Sequence, residues 1–297
     1  MSLLIVGGTA VDVIFPRVPR LPAWPEHLEF TGRNLVLLAE PPLVTIGGNG
    51  ANAAFVAARC GADVTLHTNC ANDSLGELAR GWLAAAGCTV VSSARSGRTA
   101  VNVTAADRRL RRATFFYAGV AAVPPSSAQA FSFALLCGWP HPKPRIMARA
   151  LQAWRAQGTR TALDLGPLLG PEPAWAELSP TLAQVDVLLA NQHEALTVTG
   201  ARSLPAALRR LWTVCAGHLV IKLGKRGALW LAPDASSPRH LAAPRAKAAN
   251  TIGAGDSFNG AFLAALDGGA KFPAALRTAN RVAASVVRSR RGVLGLK

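Results

Sequence analysis

The 297-residue chain has no uninterrupted apolar run near the roughly 18 to 20 residues that a membrane-spanning helix needs, because Lys, Arg, Pro or Gly breaks every one. Its start, Met1-Ser2-Leu3-Leu4-Ile5-Val6-Gly7-Gly8, lacks the basic lead-in and long apolar core of a secretory leader and reads as a buried strand. Both absences set the expectation of a cytoplasmic protein with no membrane attachment. Cysteine is sparse: Cys60, Cys70, Cys88, Cys137 and Cys215 form an odd set with no CxxC spacing, which argues against a disulfide framework or thiolate metal site and for free thiols. The six histidines lack metal-ligand spacing, so neither a zinc site nor a Ser-His-Asp hydrolase is expected. A Walker loop is missing as well, since no G-x-x-x-x-G-K-S/T occurs.

Acidic residues are scarce, 16 against 32 Lys and Arg, for a formal charge of +16. Such an excess ordinarily raises nucleic acid as a partner. Here the arginines are spread over many segments, and the dense run Arg108-Arg109-Leu110-Arg111-Arg112 has no interleaved aromatics on which bases could stack. The composition fits an anionic small-molecule substrate or solvated charge better. With half its residues hydrophobic and 16% charged, the chain can bury enough apolar surface to fold.

Strand-like runs at Leu3–Val6, Leu43–Ile46, Val64–Thr68, Phe133–Cys137, Thr161–Asp164, Val185–Ala190 and Leu219–Leu223 recur along the chain. Helical patterns at Ser74–Ala86, Ile146–Gln157, Leu204–Thr213 and Phe272–Ser289 separate several of them. That alternation predicts an α/β domain with a mostly parallel sheet covered by helices. Two stretches break the pattern, residues 16–44 and 99–118, and are read as parts of a small β lid over a single domain spanning 1–297. No repeat or linker-like tract divides the chain.

Four segments carry chemistry. In Asn250-Thr251-Ile252-Gly253-Ala254-Gly255-Asp256-Ser257-Phe258, a glycine turn feeds an apolar helical run. Such a turn leaves amides pointing outward at the positive end of a helix, which suits a phosphate. Asp256 in the first turn is placed to take a proton from an attacking alcohol; the alternative is a plain helix start in which Asp256 only favours the dipole. The second segment, Gly47-Gly48-Asn49-Gly50-Ala51-Asn52-Ala53-Ala54, allows close backbone approach and offers Asn49 and Asn52 to a polyol. It also satisfies G-x-G-x-x-A through Gly48, Gly50 and Ala53, with Asp73 about 20 residues on, as in a dinucleotide fingerprint. Asn191-Gln192-His193-Glu194 follows a strand, where open α/β sheets bind ligands. Glu194 there could steer Mg²⁺ through water or merely serve a helix cap. Lys222-Leu223-Gly224-Lys225-Arg226-Gly227 is a basic turn at another strand end.

Together and in this order, these segments resemble the ribokinase/PfkB carbohydrate kinase family from Val6 to Gly292, with GGNGANAA and NTIGAGDSF similar to its two signatures. The resemblance implies a ribokinase-like three-layer α/β/α domain with a β-sheet lid that often mediates a homodimer. It implies ATP as donor, Mg²⁺ as metal, and a sugar, sugar acid or nucleoside as acceptor. Matched by position, Asp256 is similar to the family's base and Gly253, Ala254 and Gly255 to its anion hole. Asp12, Gly48 and Asn52 match substrate-gripping residues. Asn191 and Glu194 match an N-x-x-E element near phosphate and metal, while Lys222, Gly224, Gly227 and Asn280 match the nucleotide side. Departures are Asn250 in place of an aspartate near a monovalent-cation (K⁺) site, Ala10 and Asn49 in place of a sugar-contacting asparagine and a lysine, and no acid in Cys137-Gly138-Trp139-Pro140-His141. Three lost polar contacts disfavour ribose itself. Trp139 offers a flat face to a sugar ring or base, or a core tryptophan.

Overall fold

The structure is a computed structural model that describes residues 2–22, 32, 34–93, 97–109, 111–138, 143–167 and 174–296. In chain order the first elements are β1 (Ser2–Val6), β2 (Ala10–Phe15), β3 (Leu43–Gly47), α1 (Asn49–Arg59), β4 (Asp63–Thr68), α2 (Ser74–Ala85) and β5 (Cys88–Ser92). There follow β6 (Ala100–Ala106), β7 (Arg112–Tyr117), β8 (Phe133–Cys137), α3 (Pro144–Ala156), β9 (Arg160–Asp164), α4 (Trp175–Leu182) and β10 (Val187–Asn191). The chain continues with α5 (Gln192–Thr199), α6 (Leu204–Trp212), β11 (His218–Lys222), β12 (Ala228–Leu231), β13 (Arg239–Leu241), α7 (Ala254–Asp267) and α8 (Phe272–Arg288).

Nine strands form one sheet in the order β13-β12-β11-β10-β9-β8-β1-β4-β5. It is parallel from β11 to β5 and closes with the antiparallel β12 and β13. Successive side chains of a strand face opposite sides, and this sheet buries both. Leu3, Ile5 and Leu135 pack with α1, α7 and α8, whereas Leu4, Val6 and Leu136 pack with α3, α4 and α6. Two cores on the two faces of one sheet make the three layers that the alternating pattern predicted.

The second sheet has the order β3-β2-β6-β7. Its β6–β7 hairpin occupies the 99–118 stretch, but its other half corrects the sequence reading. The strands are Ala10–Phe15 and Leu43–Gly47, so β2 precedes the 16–44 stretch; the described residues among 16–42 hold no strand, and residues 23–31 and 33 lie outside the described residues. Asp12 hid β2 by interrupting an apolar run, and Pro16, which lacks an amide donor, marks its end. Among the described residues no helix is long and apolar enough to cross a membrane.

Candidate active site

β1 lies between β8 and β4, so the chain builds outward from it in both directions. Such a reversal opens a crevice at the C-terminal ends of the strands. A cavity of about 390 Å³ lies there. Gly7 and Gly8 after β1 and Gly138 after β8 form part of its wall, and Asp12, Asn102, Thr114 and Phe116 of the second sheet cover it. Asn52, Gly253 and Asp256 line it from the helices.

Glycines make the close approaches possible. A Cβ on Gly47 would overlap the Asp12 carboxylate, and one on Gly48, whose φ is 86°, would overlap the Gly8 carbonyl. Asp12 is 3% exposed. Burial pushes its carboxyl up to about 7, against a hydrogen bond with Asn102 and the positive charge of Arg112. Asn49 lines the cavity, yet its Oδ1 already accepts from the amides of Gly8 (3.1 Å) and Gly50 (2.8 Å). It thus ties two glycine turns together and has only its NH₂ to offer a ligand. Asn52 Nδ2 donates to Asp256 Oδ2 at 3.0 Å, and its buried Oδ1 has no partner among the described residues.

α7 begins at Gly253, whose φ of 74° is left-handed. Its first-turn amides, those of Ala254, Gly255 and Asp256, have no intrahelical acceptors. Ser257 locks the turn, its hydroxyl donating to the Gly253 carbonyl at 2.6 Å. The Lys222 ammonium lies 3.6 Å from the position a Cβ on Gly255 would take, so a fixed positive charge stands beside the amides. Asp256 is pushed up to about 6 by burial and by the Asp164 carboxylate, while Asn52 and Lys222 pull the other way. A carboxyl poised near neutral pH and aimed into a cavity can accept a hydroxyl proton.

Lys222, Asp164, Glu194 and Asn191 sit at the ends of adjacent parallel strands or just beyond them. Lys222 Nζ donates to Asp164 Oδ1 at 2.7 Å and to Asn259 Oδ1 at 3.2 Å. Burial opposes the lysine's charge, but Asp164 and Glu194 outweigh it and raise its pKa. Asn191 and Glu194 form a capping box: Glu194 N donates to Asn191 Oδ1 at 2.9 Å, and Asn191 N to Glu194 Oε2 at 2.7 Å. Glu194 is pushed up to about 7 by burial and by Asp164. Three carboxylates around one ammonium leave negative charge that a divalent cation would balance. No cluster of three His, Cys, Asp or Glu fit to hold a metal by itself occurs among the described residues. That donor set fits Mg²⁺, which keeps waters and takes one or two carboxylates together with phosphate oxygens.

On the far side of β11, Gly227 and Asn280 converge on one carbonyl. A Cβ on Gly227 would overlap Leu241 O, to which Asn280 Nδ2 donates at 3.2 Å. Gly224, with φ 59°, opens the short turn between β11 and β12. A further cavity of about 490 Å³ lies between Ala242–Pro244 and the α8 residues Arg277, Thr278 and Arg281.

The dinucleotide reading of Gly48, Gly50 and Ala53 does not survive. β3 belongs to the second sheet, so β3-α1-β4 is not a βαβ unit of one parallel sheet, and Asp73 is spent capping α2 and binding Thr99. Trp139 lies outside the described residues. Among the described residues the aromatic that lines the cavity is Phe116, 47% exposed. Asp164, Asn102 and Phe116 were not singled out in the sequence; Asp164 alone carried a signal, as an acid closing a strand.

A two-sheet α/β protein with an amide turn, a buried lysine and an ionisable carboxyl at its switch point has the form of a phosphotransferase. The chain belongs to the pfkB family carbohydrate kinases, matching over residues 28–296; these are phosphotransferases acting on an alcohol group. It is 28% identical over 276 residues to a ribokinase of Mus musculus, covering 88% of this chain and 80% of that protein. It is 27% identical over 240 residues to a bifunctional ribokinase/ribose-5-phosphate isomerase A of Fructilactobacillus sanfranciscensis, covering 74% of this chain and 42% of that protein's length. The fold is shared with a ribokinase of Cryptococcus neoformans in complex with ADP, at a TM-score of 0.81 and 21% identity over 99% of this chain and 96% of that one.

Proposed function

We propose that the protein is an ATP-dependent kinase that phosphorylates a primary hydroxyl of a sugar or sugar-like acceptor in the cavity beneath the second sheet. The observation that carries this is the joining of the two signatures. Asn52 holds Asp256, and Asp256 stands in the same helical turn as three amides free to bind phosphate. Asp256 takes the hydroxyl proton as the acceptor oxygen bonds to the γ-phosphorus and the bond to the ADP oxygen breaks. Ala254, Gly255 and Lys222 counter the charge of the moving group, and Glu194 with Asp164 would hold Mg²⁺, which supplies electrostatic stabilisation to the phosphates. Gly224, Gly227 and Asn280 shape the nucleotide side, and Asp12, Asn52 and the Asn49 amide grip the acceptor.

The second sheet is read as the lid of this site, and its outer face as a homodimer surface, since Phe115 and Tyr117 there are 73% and 55% exposed. Phe116 at the rim favours a second reading, a nucleoside acceptor stacked on the aromatic. A cytoplasmic location accords with metabolite phosphorylation by ATP. The test is ATP consumption with Mg²⁺ against pentoses, hexoses, sugar acids, sugar phosphates and nucleosides. Turnover on one class supports the kinase and names the class; ATP binding with no turnover on any class contradicts it.

A further inference from the structure

A second, larger cleft of about 1260 Å³ opens next to the acceptor cavity, and the two share Ile252. Eight of its 21 lining residues are Lys or Arg, against 32 in the 297 residues of the chain. They come from both parts of the fold: Arg17, Arg108, Arg109 and Arg112 from the second sheet and its loops, and Lys247, Arg288, Arg290 and Arg291 from the body. The two acids in the lining neutralise only one of the eight. Glu40 pairs with Arg17 at 2.8 Å, and Asp107 is engaged by Arg111, which lies outside the cleft. Among the described residues no salt bridge joins the other seven cations to a carboxylate.

The cleft and the cavity lie under one face of the second sheet. Side chains two apart on a strand share a face. On β7, Phe116 and Thr114 line the cavity and Arg112 the cleft; on β2, Asp12 lines the cavity and Ile14 the cleft. Neighbouring positions on that face are about 7 Å apart along the strand, a spacing that one small molecule can span. Arg112 acts on both spaces, since its positive charge is felt by the Asp12 carboxyl.

We propose that this cleft receives a phosphate group carried by the acceptor, so that the preferred substrate is a phosphorylated sugar whose free hydroxyl reaches Asp256. The proposal rests on the kinase reading above. Arginine suits the task because its planar fork grips phosphate oxygens in pairs, and the volume leaves room for more than one phosphoryl group. It also gives the charged run Arg108–Arg112 a use that the phosphoryl-transfer chemistry itself does not require.

Sugar phosphates and the matching neutral sugars are compared in turnover with MgATP, and separately in calorimetric binding without nucleotide, for the wild type and for Arg112→Gln/Arg291→Gln. The expected result is tight binding and turnover of a sugar phosphate. The double variant should raise its KM and Kd at least tenfold, with the KM for ATP and the melting temperature unchanged. Binding of a sugar phosphate that the variant loses, with no turnover in any case, supports the cleft while overturning the kinase reading. Efficient turnover of a neutral sugar that ignores the variant leaves the kinase standing and overturns the cleft. Neutral-sugar turnover stimulated by inorganic phosphate and lost in the variant assigns the cleft to a free ion and overturns the acceptor assignment. Salt-steep binding of a DNA oligonucleotide, lost in the variant, with no sugar phosphate bound, overturns it too.

Discussion

Asn52 of the first signature donates its side-chain amide to the Asp256 carboxylate of the second at 3.0 Å, across 204 positions of chain. One residue thereby aims the other. Asp256→Asn should lose at least a thousandfold in kcat while nucleotide affinity holds within about threefold, because proton removal and electrostatic positioning carry phosphoryl transfer. The base works ionised, and burial with Asp164 has pushed Asp256 up to about 6. In the wild type kcat/KM for the acceptor should therefore fall as pH drops through about 6. Asn52 opposes that rise, so Asn52→Leu should move the acid limb upward. A flat profile from pH 5 to 8, or a near-normal Asp256→Asn, rejects Asp256 as the base.

Asp12 offers a stability test with a definite sign. Its folded-state value of about 7 lies above the unfolded value near 4. The folded protein thus holds the proton more tightly, and this contribution is fully present below pH 4 and lost as pH rises to 7. Asp12→Asn removes the buried charge. The variant should melt several degrees above the wild type at pH 8, with the gap closing toward pH 5. A gap independent of pH shows that Asp12 is not the group responsible.

What was legible in the sequence was local. The turn at Gly253–Asp256, the capping box of Asn191 and Glu194, and the lysine closing β11 are each written within a few residues, so spacing alone exposes them. What escaped depends on strands meeting across long separations. Asn102 meets Asp12 only because β2 and β6 pair in parallel, and Phe116 reaches the cavity only because it lies opposite Asn102 on β7. Likewise, nothing in the sequence reveals that the Gly8 amide takes the oxygen of Asn49 and leaves only its NH₂ to face the cavity. The strand β2 escaped for a related reason: a carboxylate bound for a site, Asp12, interrupts the pattern by which a strand is recognised.

Lys222 and Asp164 form an ion pair whose side chains are 11% and 2% exposed. Removing one partner of such a pair leaves the other charge stranded. Lys222→Met should destabilise the protein by about 3 to 5 kcal/mol, and the double variant Lys222→Met/Asp164→Leu should recover much of that. Denaturant unfolding of the four proteins closes the cycle. Both variants should lose turnover, since the ammonium beside Gly255 is gone in each. Equal losses of stability in the single and double variants rule out a pair of this strength.

Asn250 puts a neutral amide where the family's resemblance leads one to expect a carboxylate beside a monovalent cation. Its Oδ1 accepts from the Ile252 amide at 2.9 Å, which helps fix the turn leading into Gly253. Arg288, Arg290 and Arg291 share the adjacent cleft with it, and their charge repels a small cation. Turnover should therefore be the same within about twofold in K⁺, in Na⁺ and in a bulky organic cation at equal ionic strength. Asn250→Asp restores one negative charge but not the removal of three arginines, so a partial K⁺ response is expected there. A tenfold stimulation of the wild type by K⁺ alone contradicts this, and would mean that backbone carbonyls suffice to hold the ion despite the positive surroundings.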